Sequence, residues 1–335
     1  MGIELDSATR LAVQKYGLSW PEVDEDVYAL LAAGLDSFAA LIDDDTAVAG
    51  KCMDRLLPSG KGEAITALAE HWDRVKRDDM TPLGTAARAL ALRVRELPGT
   101  IAALKLSVTN TAVALTANEA AADAAVALSP AGPATVARAN AETARKANAE
   151  YRSDVQSLRK ALRTVLTDPA VIALEKIPND LAGTSGDGGG GSGGSPWKDA
   201  FDRAGGGAEK GIADGIATGA AASGAHGRAI GSVLKVDHEE HQLAARRIAE
   251  VGGEVLGDTG TKLNEAVGEH GTAKGSGALG IELAEAVDLV LDRLAAATTA
   301  VGNHLSTALP DAILLASSSQ QDTDDGNRRR MAQLD

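Results

Sequence analysis

Apolar residues recur at three- and four-residue steps through most of the chain, which is the period of an amphipathic helix. The clearest run predicts a first long helix that begins near residues 19–21 and ends before Pro58. Ser19 can cap free backbone N–H groups, and Pro21 suits a first helical turn. The apolar stripe of this helix consists of Val23, Val27, Leu30, Leu31, Leu35, Phe38, Leu41, Ile42, Cys52, Met53, Leu56 and Leu57.

A turn is predicted at residues 58–62, which read Pro-Ser-Gly-Lys-Gly. Proline cannot continue the helical hydrogen bonds, and the two glycines allow the chain to reverse. The helical period restarts at Glu63 and places Trp72 on the apolar face of a second helix. A short turn between two long helices predicts an antiparallel hairpin.

Further helical stripes follow over residues 81–128 and about 134–166. Residues 5–17 predict a short helix whose Leu11, Ala12 and Tyr16 share one side that can lie on the hairpin. The charged residues of the 134–166 helix, including Arg159, are expected on a solvated face. The stripe of the 81–128 segment consists of Leu83, Ala86, Ala87, Leu90, Val94, Leu97, Ile101, Leu104, Val108, Ala112, Leu115 and Ala122.

Residues 183–195 are almost entirely glycine and serine, which is the composition of a flexible linker. Beyond it, small residues recur every four positions from Gly207 to Gly231. This ridge leaves open a marginal helix, a mobile coil and, least favoured, a membrane-inserted helix. Helical character returns over 236–251 and 281–300, and the polar end is expected to be disordered.

The fold class predicted is therefore all-α, with an elongated helical hairpin or bundle at the N-terminus. The predicted domains are 1–167, a helical-hairpin domain; 168–195, a linker; 196–315, a glycine-rich helical region; and 316–335, a disordered tail.

The hairpin carries a family resemblance. Its first helix opens with Trp20-Pro21-Glu-Val-Asp-Glu-Asp, and its second with Gly60-Lys-Gly62-Glu-Ala-Ile-Thr-Ala-Leu-Ala-Glu-His-Trp72. Over residues 1–165 the chain resembles the N-terminal domain of CpnT-like toxins of actinobacteria, a relative of the Trp-x-Gly hairpins exported by type VII secretion. Two features depart from that pattern: Gly60 stands where the small hairpins carry tryptophan, and no Tyr-x-x-x-Asp/Glu signal follows any tyrosine.

The composition of the chain limits the classes of partner that it can bind and the way in which its helices can pack. The 335 residues carry a net charge of −14, which disfavours general binding to a phosphate backbone, so no nucleic acid is expected as a partner. Aromatic residues make up only 2% of the chain, so helices should pack closely through small side chains. Cys52 is the only cysteine, excludes an intramolecular disulfide, and is expected to be a small buried hydrophobe.

Two local patterns could suggest chemistry. Gly275-Ser-Gly277-Ala-Leu-Gly280 satisfies a dinucleotide fingerprint, but residues 265–274 do not form the strand that the fingerprint requires. His238 and His241 could share a metal with Asp237, yet no other ligands cluster there, so we expect solvated histidines. The sequence predicts no cofactor, no metal and no catalytic residue.

The resulting expectation is a non-catalytic helical interaction or targeting module. The resemblance implies helix pairing with a helical protein or a component of the secretion machinery, with homodimers and heterodimers both open. The hairpin-defining residues would be Trp20, Pro21, Gly60, Gly62 and Trp72. The alternatives are a cytoplasmic helical scaffold and a divergent toxin beyond the linker.

The first nine residues lack the basic and apolar regions of a cleavable signal peptide. No uncharged apolar run reaches the length of a membrane-spanning helix. We therefore expect a cytoplasmic protein without stable membrane insertion, whose export, if it occurs, is independent of a signal peptide.

Overall fold

The computed structural model describes residues 2–60, 63–124, 132–182, 238–275 and 277–331. Within these ranges the chain is mostly helical and contains no strand, so the prediction of an all-α fold with long helices is confirmed. In chain order the helices are α1 Ser7–Tyr16, α2 Glu25–Leu56, α3 Glu63–Arg74, α4 Thr81–Arg95, α5 Leu97–Ala124, α6 Gly132–Arg163, α7 Pro169–Leu174, α8 Ile177–Ala182, α9 His238–Glu254, α10 Gly260–Gly275, α11 Ala278–Asn303 and α12 Leu309–Met331.

Three of these helices are joined to the next by a π-helical turn, in which the backbone inserts an extra residue. The π-helical turns are Val75–Met80 between α3 and α4, Val255–Thr259 between α9 and α10, and His304–Ala308 between α11 and α12.

Helix α2 begins later than the sequence predicts. Residues 18–24 are not helical, and the first turn starts at Glu25. The side chain of Asp24 accepts a hydrogen bond of 3.0 Å from the backbone N–H of Asp26, which is the role of an N-cap. Asp24 therefore takes the place that the prediction gave to Ser19.

The chain is also more helical at two places than predicted. Residues 169–182, assigned to the linker, form α7 and α8, and α12 continues to Met331 where a disordered tail was expected. The start of α12 is anchored by buried Leu309, Ile313 and Ala316, and a packed first half favours propagation of the helix beyond it. The glycine-rich segment 183–195 and the ridge from Gly207 to Gly231 lie outside the described residues.

Contacts divide the chain into two compact units, each assembled from three stretches. The first contains Met1–Phe38, Ala86–Ile172 and Lys262–Arg293; the second contains Ala39–Thr85, Ala173–Thr261 and Leu294–Asp335. The predicted boundary at residue 195 lies outside the described residues, and the predicted domains stay a prediction.

In the first unit α1 packs on the α5–α6 pair. Gly17 ends α1 with a φ of 61°, the left-handed conformation that glycine adopts without strain. Asn148 of α6 then holds the following segment, because its side chain accepts from the N–H of Ser19 and donates to the carbonyl of Gly17, each at 2.8 Å. The shared core is built from Val13, Leu18, Val108, Ala112, Leu115 and Ala144.

In the second unit α9 packs against α12 and against the π-helical turn His304–Ala308. The approach is closest at Gly252, where a Cβ atom would lie 2.5 Å from Ser306 Oγ and 2.7 Å from the Leu305 carbonyl carbon. A side chain at this position would therefore force the two elements apart. Trp72 of α3 also belongs to this unit and is 3% exposed.

Candidate functional site

Helix α5 carries two apolar stripes on opposite sides. The inner stripe is buried, as predicted from the sequence, and consists of Leu97, Ile101, Leu104, Val108, Ala112, Leu115 and Ala122. Tyr16 of α1 is fixed beside it, since its hydroxyl donates to the Leu115 carbonyl at 3.1 Å. The inner stripe thus accounts for the packing of α5 within the first unit.

The second stripe faces solvent, and we call it the outer seam. Its members repeat at alternating steps of four and three residues and are all exposed: Gly99, Ala103, Leu106, Asn110, Val113, Ala117 and Ala120. Leu106 is 52% exposed and Val113 is 56% exposed. A helix that is apolar on two sides normally has both of them covered, so the outer seam is a surface without a partner among the described residues.

Local sequence favours an uninterrupted helix at α5. Pro98 lies in the first turn, where its missing N–H leaves no hydrogen bond unmade. The threonines bond locally: the hydroxyls of Thr111 and Thr116 donate to carbonyls four residues earlier, at 2.9 Å each. These bonds satisfy polar side chains along the helix without introducing charge.

A polar cleft of about 700 Å³ lies beside the start of α5 in the first unit. On its wall, Lys105 Nζ donates to Glu25 Oε2 at 2.5 Å, and both side chains are almost fully buried. The Ile3 N–H also donates to Glu25 at 2.7 Å. Burial alone would raise the pKa of Glu25, but the hydrogen bonds from Lys105 and Ile3 hold that pKa below its usual value.

The predicted hairpin residues that the structure describes fall in both units. Trp20 and Pro21 belong to the first unit, where the Trp20 ring packs against the core and its centroid lies 5.9 Å from Lys105 Nζ. Trp72 and Gly60 belong to the second unit. Gly60 has a φ of −133°, an extended conformation open to any residue, and Gly62 lies outside the described residues.

Two histidines meet in the interior of the second unit. His71 Nε2 and His304 Nε2 are 2.9 Å apart, and the rings are 4% and 2% exposed. One ring donates its Nε2–H to the other, whose Nε2 therefore carries no proton. Burial lowers the pKa of His71 to about 4, and burial together with His71 lowers the pKa of His304 to about 3.

Each π-helical turn of the second unit presents a buried polar side chain, and His304 is one of the three. In the second turn, the hydroxyl of Thr259 donates to Asp45 Oδ2 at 2.8 Å, and burial raises the pKa of Asp45 to about 6. In the turn Val75–Met80, burial and the nearby charges of Asp180 and Asp78 raise the pKa of Asp79 to about 7. Because burial shifts their pKa values, these groups make the stability of the fold depend on pH.

The structure places the histidine pair and the glycine pattern that the sequence analysis weighed for metal and nucleotide binding. His241 is fully buried, which corrects the expectation of a solvated side chain, and His238 bonds Ser317 Oγ at 2.6 Å. The described residues contain no group of three or more metal-ligating side chains. Residues 265–274 lie in α10, so the absence of a strand before Gly277 is confirmed.

The structure revises three further expectations, which concern Cys52, Leu11 and Arg159. Cys52 is only partly buried, and that burial raises the pKa of its thiol. Leu11 is 67% exposed on α1 and does not lie in a core. Arg159, placed on a solvated face, forms an ion pair of 2.5 Å with Glu285, which also accepts from Arg163.

Sequence reasoning missed the outer seam, although its signal is present. Ala103, Leu106 and Val113 repeat with the same helical period as the inner stripe. Periodicity detects both stripes but does not say which one the fold buries. The burial pattern of the structure separates them.

One helical stretch, Ala64–Ala124, contains an 18-residue window with a mean hydropathy of 1.2, of which 33% is buried. By length and composition alone it could cross a membrane. Core helices of soluble proteins meet the same criteria, so the finding does not place this chain in a bilayer.

Comparison of the chain with protein-family models, with curated proteins and with solved structures finds no match.

Proposed function

We propose that this chain is a non-catalytic helical interaction module and that the outer seam of α5 is the surface on which a partner helix docks. The observation that carries the proposal is the exposure of Leu106 and Val113, at 52% and 56%, on a helix whose opposite stripe is fully packed.

The spacing of the seam supports a helix as the partner. Alternating steps of four and three residues are those of a helix that interlocks its side chains with another helix. Burying a Leu or Val side chain completely contributes about 1.5–3 kcal/mol, and roughly half of each is still exposed here. The small residues around them allow two helix axes to come close.

The resemblance described above adds a biological role to the proposal. A module of the CpnT type would act as the targeting domain of a toxin exported by type VII secretion. The test is export of the full chain from cells with and without the type VII ATPase. Export that requires the ATPase supports targeting, whereas retention in both strains favours a cytoplasmic scaffold. Growth arrest by the expressed chain would favour the toxin alternative.

The docking surface itself is tested by Leu106→Glu, with Leu11→Glu as the matched control. Both leucines are exposed on helices of the first unit, but only Leu106 lies in the outer seam. Proteins that co-purify with the wild type and with Leu11→Glu should be lost from Leu106→Glu. Equal recovery with all three proteins would refute docking at this surface.

A further inference from the structure

The residues of the outer seam follow a nearly symmetric order about Asn110. On one side stand Leu106, then Ala103, then Gly99; on the other stand Val113, then Ala117, then Ala120. Large apolar side chains therefore flank the central amide, and small residues follow at both ends. Reversing the direction of the helix leaves the order of sizes unchanged.

We propose that the outer seam binds the outer seam of a second copy of this chain in antiparallel orientation, across a two-fold axis that passes near Asn110. The inference rests on the proposed docking function and names its partner. A two-fold interface requires one surface to complement itself, and this order does so. Leu106 of one copy faces Val113 of the other, and Ala103 faces Ala117.

Charge favours a second copy at this surface over other surfaces of the chain. The net charge is −14, so most contacts between two copies bring acidic side chains together. Residues 97–118 contain one charged side chain, Lys105, which is buried and paired with Glu25. Two copies can therefore meet along residues 97–118 without like-charge repulsion, and Glu119, next to the end of the seam, is paired with Lys15.

The centre and the ends of the seam have complementary roles. Asn110 carries both donors and an acceptor, so the two amides at the axis can bond each other. A polar residue in an otherwise apolar helical seam fixes register and orientation. Gly99, Ala103, Ala117 and Ala120 leave little side-chain bulk between the backbones, which lets the two helices pack closely.

The size of the seam predicts the strength of the dimer. From Gly99 to Ala120 the helix extends about 32 Å at 1.5 Å per residue, and a helix is about 10 Å wide. The area of such a strip is smaller than the roughly 800 Å² per partner that a standard stable interface buries. The dimer is accordingly transient and dissociates on dilution through the micromolar range.

Sedimentation velocity of the full chain over a concentration series tests the proposal. The wild type should pass from monomer to dimer, and so should the control Leu11→Glu. Leu106→Glu and Val113→Lys should each stay monomeric over the same range, because each buries an unpaired charge. Each substitution is at an exposed position, and circular dichroism checks that each variant remains folded.

The double variant Leu106→Glu/Val113→Lys decides the orientation. In the antiparallel dimer the two introduced charges of opposite sign face each other, so dimerisation should return. In a parallel dimer like charges would meet, and the double variant would remain monomeric. A wild type that is monomeric at every concentration, or a double variant that fails to recover, overturns the proposal.

The same proteins distinguish failure of this inference from failure of the docking function. If the wild type is monomeric but Leu106→Glu still loses a co-purifying protein, the seam binds another helix and only the second copy is wrong. If instead the wild type floats with phosphatidylcholine vesicles and Leu106→Glu does not, a lipid surface occupies the seam, and both proposals fail.

Discussion

Gly252 and Gly253 are neighbours in α9 with opposite surroundings, and replacing each by alanine should change stability in opposite directions. In a helix interior, alanine is favoured over glycine by about 1 kcal/mol. At Gly253 a Cβ atom would meet nothing within 4 Å, so Gly253→Ala should gain most of that amount. Gly253 therefore serves as the matched control.

At Gly252 the new Cβ would lie 2.5 Å from Ser306 Oγ, 2.7 Å from the Leu305 carbonyl carbon and closer still to the Ser306 backbone nitrogen. Backbone atoms cannot rotate away, so α9 and the turn must separate by about 1 Å. Overpacking of this kind costs about 1–3 kcal/mol. After the gain in helix propensity is subtracted, a net loss of about 1 kcal/mol remains for Gly252→Ala.

A third glycine, Gly302, should give a variant of intermediate stability. A Cβ at Gly302 would lie 2.6 Å from the end of the Leu256 side chain, which is 42% exposed and can move. Gly302→Ala should therefore fall between the other two variants. Urea denaturation followed by far-ultraviolet circular dichroism measures all three. If Gly252→Ala is as stable as Gly253→Ala, the close approach at Ser306 is wrong.

Two predictions concern pH. Because the pKa values of His71 and His304 are about 4 and about 3 in the folded protein and near 6.5 when unfolded, the unfolded state binds more protons below pH 6.5. Their contribution to stability is therefore present above pH 6.5 and is lost as the pH falls toward 3–4. Imidazole ¹⁵N shifts should show both rings neutral at pH 5, and a charged ring there would contradict the lowered pKa values. For Asp79 the sign is opposite, since its folded pKa of about 7 lies above the unfolded 3.8 and stability is lost as the pH rises through 7. Asp79→Asn should raise the midpoint of thermal unfolding more at pH 8 than at pH 5, whereas Asp78→Asn, at an exposed carboxylate paired with Arg77, should not; a gain independent of pH would exclude titration of Asp79 as the cause.

The all-α fold and the start of α3 at Glu63 follow from the sequence, because helical period and turn residues are local signals. The assembly of two units from interleaved stretches does not, since periodicity identifies an apolar face but not the face that covers it. The same limit explains α5, whose inner stripe was predicted and whose outer seam was not. It also explains His71 and His304, which are 233 positions apart and carry no local sign of their contact.

Polar positions show a second limit. Lys105 lies on the inner side of α5 among buried leucines, where sequence reasoning expects only apolar residues. Its burial depends on Glu25, which is supplied by another helix. Asp24 illustrates a different difficulty. Its capping role depends only on neighbouring residues and could be predicted from the sequence, but Ser19 and Pro21 are equally suitable for the start of the same helix.

The central claim, that the outer seam of α5 is an occupied docking surface in the cell, is tested most directly by photo-crosslinking in the source organism. A photoreactive phenylalanine analogue is placed at Leu106, at Val113 or at the control position Leu11, and adducts are resolved by mass on gels. The account predicts protein adducts from Leu106 and Val113 and none from Leu11. Seam positions without adducts, or equal labelling from all three, would contradict it.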